Sequence, residues 1–205
     1  MKYPRIAVFA SGTGSNAESL MKKMKDLGCE IEFVFSDKRD VGVLEKALRL
    51  GVKTYLVEKT SDRATHEEEV LKLVHRHRID WIFLAGYMRL ISASFLQTLQ
   101  SHHQGATQIV NIHPSLLPAY PGSQAMERAF ADQVPHSGIT VHFVDEGMDT
   151  GKIIMQEQVA LQKFESFSDF KMKMHSVEHR LYGQFLENVV TGKIPTLSYK
   201  ETVEC

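Results

Sequence analysis

The sequence predicts an α/β fold with an open, mostly parallel sheet flanked by helices. Short apolar runs that suit buried strands alternate with segments whose apolar residues recur every three or four positions. This alternation implies right-handed crossovers between parallel strands. The 205 residues, 43% of them hydrophobic, can bury one sizeable core. We therefore expect one domain over 1–205, with halves of about 1–100 and 101–190 and a tail at 191–205.

The first half of the chain alternates four predicted strands with helices. The strands are short apolar runs at 6–10, 31–35, 52–57 and 80–85. Apolar spacing predicts a first helix that ends near Leu27 and a second over 43–50, where Gly51 occupies the usual place of a left-handed cap. Thr65-His66-Glu67-Glu68 has the form of a capping box and predicts the start of the third helix.

The second half continues the alternation and ends in a long helix. Helices are expected at 92–99 and 124–132, and strands at 109–112, 139–144 and 153–161. Ser166-Phe167-Ser168-Asp169 is a second capping box, which opens a helix that reaches about Val190. Its predicted core stripe is Phe167, Phe170, Met174, Val177 and Leu181. The residues from Gly192 onward have no pattern that predicts structure.

Composition excludes several classes of function. Lys and Arg total 24 against 25 Asp and Glu, so no general attraction to nucleic acid or to an anionic membrane is expected. No apolar run approaches the roughly 20 residues of a membrane span. Two cysteines, Cys29 and Cys205, and the absence of a signal-peptide pattern suit a reducing, cytoplasmic setting. The ten histidines lack metal-ligand spacing, so no metal is expected.

The stretch Asn111–Gly122 follows a predicted buried strand and carries two polar groups two residues apart. Residues i and i+2 of a strand point to one face, so Asn111 and His113 can project side by side. Three prolines stiffen the loop that follows. Ser11–Asn16 and Gly86–Ile91 also leave strand ends, where ligands bind in such sheets. We expect the three loops to form one cleft, although Asn111–Gly122 taken alone could be a rigid surface turn with a hydrogen-bonded histidine.

The segment from Gly12 to Ala17 formally matches the dinucleotide-binding pattern G-x-G-x-x-G/A, and Asp37 could be the acidic residue that binds the ribose in that motif. The feature that this segment supports more firmly is an anion site, because glycines allow close approach and amide groups at a helix start point outward. A terminal phosphate suits that geometry as well as a pyrophosphate. The alternative is a tight turn followed by a helix cap.

Asn111, His113 and Asp149 suit attack of a nucleophile on a carbonyl group. His113 titrates near neutral pH, Asp149 can orient its ring, and Asn111 can donate to an oxygen that becomes negative. The pattern Gly-x-Ser-x-Gly is absent, which favours direct transfer over a covalent intermediate. Asp149 could instead be a solvated turn residue, and Glu178, beside the apolar stripe of the last helix, could face either the cleft or solvent. Arg63 and Arg89 could each pair with a carboxylate or phosphate, although a surface arginine is the favoured interpretation of Arg63.

Four motifs together resemble the phosphoribosylglycinamide formyltransferases, over about residues 5–190. They are Ser-Gly-Thr-Gly-Ser-Asn, Ala-Gly-Tyr-Met-Arg-Leu-Ile, Asn-Ile-His-Pro-Ser-Leu-Leu-Pro and His-Phe-Val-Asp-Glu-Gly-Met-Asp-Thr-Gly. The resemblance implies a Rossmann-like formyltransferase fold. It also implies transfer of the formyl group of 10-formyltetrahydrofolate to the glycine amine of phosphoribosylglycinamide, in purine synthesis, by a monomer or homodimer.

The resemblance also implies roles for individual residues. The catalytic residues would be Asn111, His113 and Asp149. Residues that would bind phosphoribosylglycinamide are Gly14, Ser15, Asn16, His175, Ser176, Val177 and Glu178, with Glu178 near the amine. Residues that would bind the folate are Arg63, Met88, Arg89, Leu90, Ile91, Asn111, Asp145, Glu146, Gly147, Met148 and Asp149.

Three positions depart from the family pattern, and two other functions compete. Gln124 stands where many members have His, and Lys152 and Gly183 where many have Pro. A 10-formyltetrahydrofolate hydrolase would share the catalytic set but carry an extra amino-terminal domain, and methionyl-tRNA formyltransferase would need a further carboxy-terminal domain. A nucleotide-binding homologue without catalysis would not need Asn111, His113 and Asp149 intact.

Overall fold

The structure, a computed structural model, describes residues 3–161, 164, 166–197 and 200. Within them the strands are β1 (Ile6–Phe9), β2 (Phe33–Ser36), β3 (Thr54–Leu56), β4 (Trp81–Leu84), β5 (Ile109–His113), β6 (His136–Phe143) and β7 (Ile153–Ala160). The helices are α1 (Ser15–Asp26), α2 (Gly42–Arg49), α3 (Arg63–Arg76), α4 (Ala93–His102), α5 (Ala125–Ala131) and α6 (Phe167–Val190).

All seven strands form one sheet in the order β3-β2-β1-β4-β5-β6-β7. The pairs from β3 to β5 are parallel, and β5–β6 and β6–β7 are antiparallel, so the expected mostly parallel sheet is confirmed. The strand order reverses between β1 and β4. Loops that leave the carboxyl ends of these two strands run to opposite faces of the sheet, and a crevice opens between them.

Two apolar cores cover the two faces of the sheet. One packs α1, α2, α5 and α6 against it, and the predicted stripe of α6 supplies the buried Phe170, Met174 and Val177. The other packs α3 and α4 against the opposite face. Among the described residues, no helix combines the length and apolar character that a membrane crossing requires.

The predicted elements are all present, but the predicted start of the third helix is wrong. The helix begins at Arg63, and its N-cap is Asp62, whose carboxylate accepts from the amides of Ala64 and Thr65 at 3.1 and 3.0 Å. The Thr65 hydroxyl donates to the same carboxylate instead of capping the helix. Ser166 is confirmed as the N-cap of the last helix, because its Oγ accepts from the amide of Asp169 at 3.1 Å. The Asp169 carboxylate accepts from the Ser166 hydroxyl.

The described part of the tail, for which no structure was predicted, packs back onto the sheet through Thr196 and Leu197. Gln108 donates its Nε2 to the Leu197 carbonyl at 2.8 Å, and its Oε1 accepts from the Leu197 amide at 2.6 Å. The indole of the buried Trp81 donates to Thr196 Oγ1 at 2.9 Å. The Gln108 side chain thus binds the tail backbone with a donor and an acceptor, as a neighbouring strand would.

Replacing Gly183 with alanine is expected to raise the free energy of unfolding by about 0.5–1 kcal/mol. Gly183 lies inside α6, and an added Cβ would meet Lys23 Cγ at 3.8 Å, an ordinary contact. Urea denaturation measures the change. Gly138→Ala is the contrasting variant, because its Cβ would collide with the Glu157 carbonyl and should destabilise the sheet. A loss of stability in Gly183→Ala would contradict the expectation.

Candidate active site

A cleft of about 530 Å³ opens at the carboxyl ends of β1, β4 and β5. Its walls come from the start of α1, the segments Gly86–Ile91, Asn111–Pro114 and Gly122–Glu127, the turn before β7, and α6. The three loops that the sequence places at strand ends therefore do converge. This convergence follows from the parallel pairing of β1, β4 and β5.

The last strand of the parallel set, β5, carries Asn111 and His113 into the cleft. The two residues are two positions apart on one strand, so they share a face, as expected. In the antiparallel register, Asn111 faces His142 of β6. The loop after β5 then folds back over His113, whose Nε2 lies 2.8 Å from the Tyr120 carbonyl oxygen.

Asp149 reaches the same place from the turn between β6 and β7. Asp145 organises this turn, because its Oδ1 accepts from the Thr150 hydroxyl at 2.6 Å and from the Gly147 amide at 3.1 Å. Asp149 itself adopts a left-handed conformation with φ 56°. Its Oδ2 accepts from the Gly122 amide at 2.7 Å, which ties the turn to the proline-rich loop.

The three predicted catalytic side chains meet around the Asp149 carboxylate. Oδ2 lies 3.3 Å from His113 Nδ1, and Oδ1 accepts from Asn111 Nδ2 at 3.4 Å. These side-chain distances exceed the usual 2.7–3.2 Å, whereas the Gly122 amide bond is short. Catalytic hydrogen bonds are often long before a substrate binds and tighten in the complex. The amide, imidazole and carboxylate are therefore within mutual reach.

The environment shifts the pKa of both ionisable members of this set. Burial raises the pKa of Asp149, but the His142 ring, the Gly122 amide and the positive charge that His113 carries at low pH outweigh burial and bring it down to about 2. Burial lowers the pKa of His113, and the Tyr120 carbonyl and Asp149 only partly oppose this effect. At neutral pH the site therefore pairs a neutral imidazole with an ionised carboxylate.

His142 is a member of the site that the sequence reasoning missed. The residue is 2% exposed, and its Nε2 lies 3.3 Å from Asn111 Nδ2 and 3.5 Å from Asp149 Oδ1. Its Nδ1 lies 2.8 Å from the Phe143 carbonyl oxygen, which fixes the ring. The ring thus bridges the amide and the carboxylate. His142 is two residues from Thr140 on β6, so the sequence could have shown that the two share a face of the sheet. It could not have shown which residues of β5 His142 would contact.

The glycine-rich segment positions the first turn of α1 at one end of the cleft. Gly14 is the N-cap with φ 73°, and a Cβ there would lie 2.5 Å from Val43 Cβ, so only glycine fits. Asn16 lines the cleft, and its buried Oδ1 has no hydrogen-bond partner among the described residues. Asp37, considered as a ribose-binding acid, is instead buried and accepts from Ser11 Oγ at 2.6 Å.

The segment Gly86–Ile91 forms the opposite wall and presents apolar side chains to solvent. Met88 is 75% exposed and Leu90 48%, and Met148 across the mouth is 53% exposed. Arg89 also lines the cleft, and its buried Nη1 has no acceptor among the described residues. Arg63 lies outside the cleft lining, and its guanidinium donates to the Leu90 carbonyl at 2.8 Å.

The long helix α6 closes the cleft on the side of α1. Glu178 is 4% exposed, and its Oε2 lies 2.8 Å from His175 Nδ1. Both residues line the cleft, as does Lys171 one turn earlier. Ser176 is exposed outside the lining, and the Val177 side chain packs in the core.

The predicted site residues divide into two sets by position. The cleft is lined by Asn16, Met88, Arg89, Leu90, Ile91, Asn111, His113, Asp145, Gly147, Met148, Asp149, His175 and Glu178. Gly14, Ser15, Arg63, Glu146, Ser176 and Val177 lie outside this lining. Lining residues that the site prediction did not name include Tyr87, Ser123, Gln124, Met126, Glu127, His142 and Lys171. Most of them come from the start of α5, a segment for which the apolar spacing of the sequence predicted a helix but no contact with a ligand.

The chain is similar in sequence to named purine-biosynthesis enzymes over most of its length. The chain is 36% identical over 190 residues to the phosphoribosylglycinamide formyltransferase of Bacillus subtilis (strain 168), which covers 91% of this chain and 94% of that protein. It is 34% identical over 197 residues to the human trifunctional purine biosynthetic protein adenosine-3, covering 94% of this chain and 19% of that protein.

Solved structures give the same result. The phosphoribosylglycinamide formyltransferase of Streptococcus pneumoniae TIGR4 has a TM-score of 0.80 at 39% identity, covering 91% of this chain and 98% of that one. Glycinamide ribonucleotide transformylase 1 of Geobacillus kaustophilus has a TM-score of 0.84 at 38% identity, covering 92% and 100%. The family model described as formyl transferase matches residues 4–186. The chain therefore belongs to the formyl transferase family.

Proposed function

We propose that this chain transfers the formyl group of 10-formyltetrahydrofolate directly to the amine of phosphoribosylglycinamide, a step of purine biosynthesis. The observation that carries the proposal is the meeting of Asn111, His113 and Asp149 in one cleft. Family membership and the identity with named phosphoribosylglycinamide formyltransferases support the choice of reaction. The low cysteine content supports a cytoplasmic setting.

The reaction forms one bond and breaks one. The amine nitrogen attacks the formyl carbon, the carbonyl oxygen becomes negative, and the bond from that carbon to folate N10 then breaks. A proton moves overall from the amine to N10. Asn111 Nδ2 lines the cleft, and its contacts with Asp149 and His142 are long, so it can turn to donate to the oxyanion. The neutral His113 ring donates its Nε2–H to the Tyr120 carbonyl, so it takes up the amine proton at Nδ1. The ionised Asp149 beside Nδ1 stabilises the imidazolium that forms.

The two ends of the cleft suit the two substrates. The α1 end offers the amide groups of a helix start whose N-cap makes no side-chain hydrogen bond, and Asn16 Oδ1, which has no partner among the described residues. These groups suit a phosphate and a sugar hydroxyl or amide. The buried carboxylate of Glu178 lies on that side and suits an amine. The other wall offers exposed Met88 and Leu90 for a flat apolar ring, and Arg89 Nη1, which has no acceptor in the described part of the chain, for an anionic group.

Replacing Asn16 with alanine is expected to weaken binding of phosphoribosylglycinamide by about tenfold, and binding of the folate by much less. The reason is that Oδ1 of Asn16 faces the α1 end of the cleft without a partner among the described residues. Isothermal titration with each substrate separately measures both effects. Asn188→Ala, near the far end of α6, is the matched control. An equal loss for both substrates would show that the α1 loop is misassigned.

One assay tests the reaction itself. The protein is mixed with 10-formyltetrahydrofolate, with and without phosphoribosylglycinamide, and formation of tetrahydrofolate and of the formylated amine is followed. Transfer predicts that release of the folate product requires the amine. Release at the same rate without the amine would identify a hydrolase. No release in either mixture would favour a nucleotide-binding homologue without catalysis.

A further inference from the structure

The segment Gly86–Ile91, which we assign to the folate side of the cleft, is held at both ends by side chains outside the cleft lining. At its start, Ser11 Oγ accepts from the Met88 amide at 3.1 Å and is itself held by Asp37. At its end, Glu67 of α3 reaches across to Ser92, the N-cap of α4. The wall of the cleft therefore takes its shape from side chains that do not line it.

Glu67 connects three groups at the end of this segment. Its side chain is 12% exposed, and its Oε1 accepts from the Ser92 amide and from Arg63 Nε, both at 3.1 Å. Its Oε2 accepts from the Ser92 hydroxyl. Arg63 in turn donates Nη2 to the Leu90 carbonyl at 2.8 Å. One carboxylate thus fixes the backbone on both sides of Ile91, directly at Ser92 and through Arg63 at Leu90.

Loss of this carboxylate would leave several donors unsatisfied at once. Hydrogen bonds to ionised groups are the strong ones, and a partly buried donor without its partner is costly. The segment from Leu90 to Ser92 would then move to find new partners. Small displacements of groups that position a ligand reduce binding strongly.

We propose that Glu67 is a positioning residue for the formyl-folate: it holds residues 90–92 in the shape that receives this substrate and does not touch it. The proposal rests on the proposed function. The phosphoribosylglycinamide end of the cleft is built by α1 and α6, to which Glu67 makes no described contact. Its effect should therefore be confined to the folate.

The kinetic test compares Glu67→Ala, Glu67→Gln and the control Glu68→Ala. Glu67→Ala is expected to raise KM for 10-formyltetrahydrofolate by about tenfold, with kcat and KM for phosphoribosylglycinamide within about twofold of the unmodified protein. Glu67→Gln, which keeps an acceptor, should show a smaller rise and serves if the alanine variant fails to fold. Glu68 is 68% exposed and pairs with Lys72 at 3.2 Å, so its replacement should change neither KM.

Hydrogen exchange tests the same proposal without any substrate. The amides of residues 86–92 should exchange faster in both Glu67 variants and at the normal rate in Glu68→Ala. If the unmodified protein transfers no formyl group, the proposed function fails and this readout still decides whether Glu67 holds the segment. Unchanged exchange in both Glu67 variants, an unchanged KM for the folate, or an equal rise of both KM values would overturn the proposal.

Discussion

Replacing His113 with alanine is expected to lower turnover by about a hundredfold or more, the usual cost of losing a proton-transfer group. His113 is 5% exposed, lies 3.3 Å from the Asp149 carboxylate, and has its pKa lowered by burial, so that the neutral ring can accept the amine proton. Alanine offers no group for that proton. Steady-state assay of formyl transfer at saturating substrates measures the loss in kcat.

Two further measurements make this expectation specific. His136→Ala, at the exposed start of β6, is the control and should keep full turnover. Circular dichroism and thermal unfolding should show that His113→Ala retains its fold, since the pocket is walled by three loops and does not rest on this one side chain. Unchanged turnover in folded His113→Ala would remove the residue from the mechanism.

Replacing Asp149 with asparagine is expected to lower turnover by about a hundredfold to a thousandfold. The carboxylate is ionised in the folded protein, with its pKa at about 2, and it stabilises the positive charge that His113 acquires. An amide of the same shape cannot supply that charge. Rapid-quench measurement of a single turnover isolates the chemical step, and Asp26→Asn, on the exposed end of α1, is the matched control.

The pH dependence of Asp149→Asn provides a second test of the same interaction. The carboxylate raises the pKa of His113 against the effect of burial, so its removal lowers that pKa further. A neutral imidazole is required, and turnover falls as pH drops through the pKa. The acid limb of kcat should therefore move to lower pH in Asp149→Asn. A limb that stays in place, or moves to higher pH, would contradict the pairing.

The sequence predicts the fold well because most of the deciding signals are local. Buried strands such as Ile6–Phe9 are short apolar runs, and the stripe of α6 repeats at helical spacing. The wrong helix start at Thr65 has a local cause too. Asp62, three residues earlier, offers two acceptor oxygens to the helix amides and also binds the Thr65 hydroxyl.

The site is predictable where strand geometry alone decides the position of a side chain. Asn111 and His113 share a face because they are two residues apart on β5. His142 joins them only through the antiparallel register of β5 and β6, which single-sequence patterns do not specify. The Gly86–Ile91 wall was assigned correctly to the cleft, but its supports depend on how α3 packs against the sheet, a tertiary arrangement that no local spacing encodes.

The contact between Trp81 and Thr196 makes tryptophan fluorescence sensitive to this part of the chain. Trp81 is the sole tryptophan of the chain, and its indole is 2% exposed with Thr196 as hydrogen-bond acceptor. The indole does not line the cleft. Its intrinsic emission is therefore a single-site reporter of how the chain around Thr196 is seated, and ligands in the cleft do not contact the fluorophore.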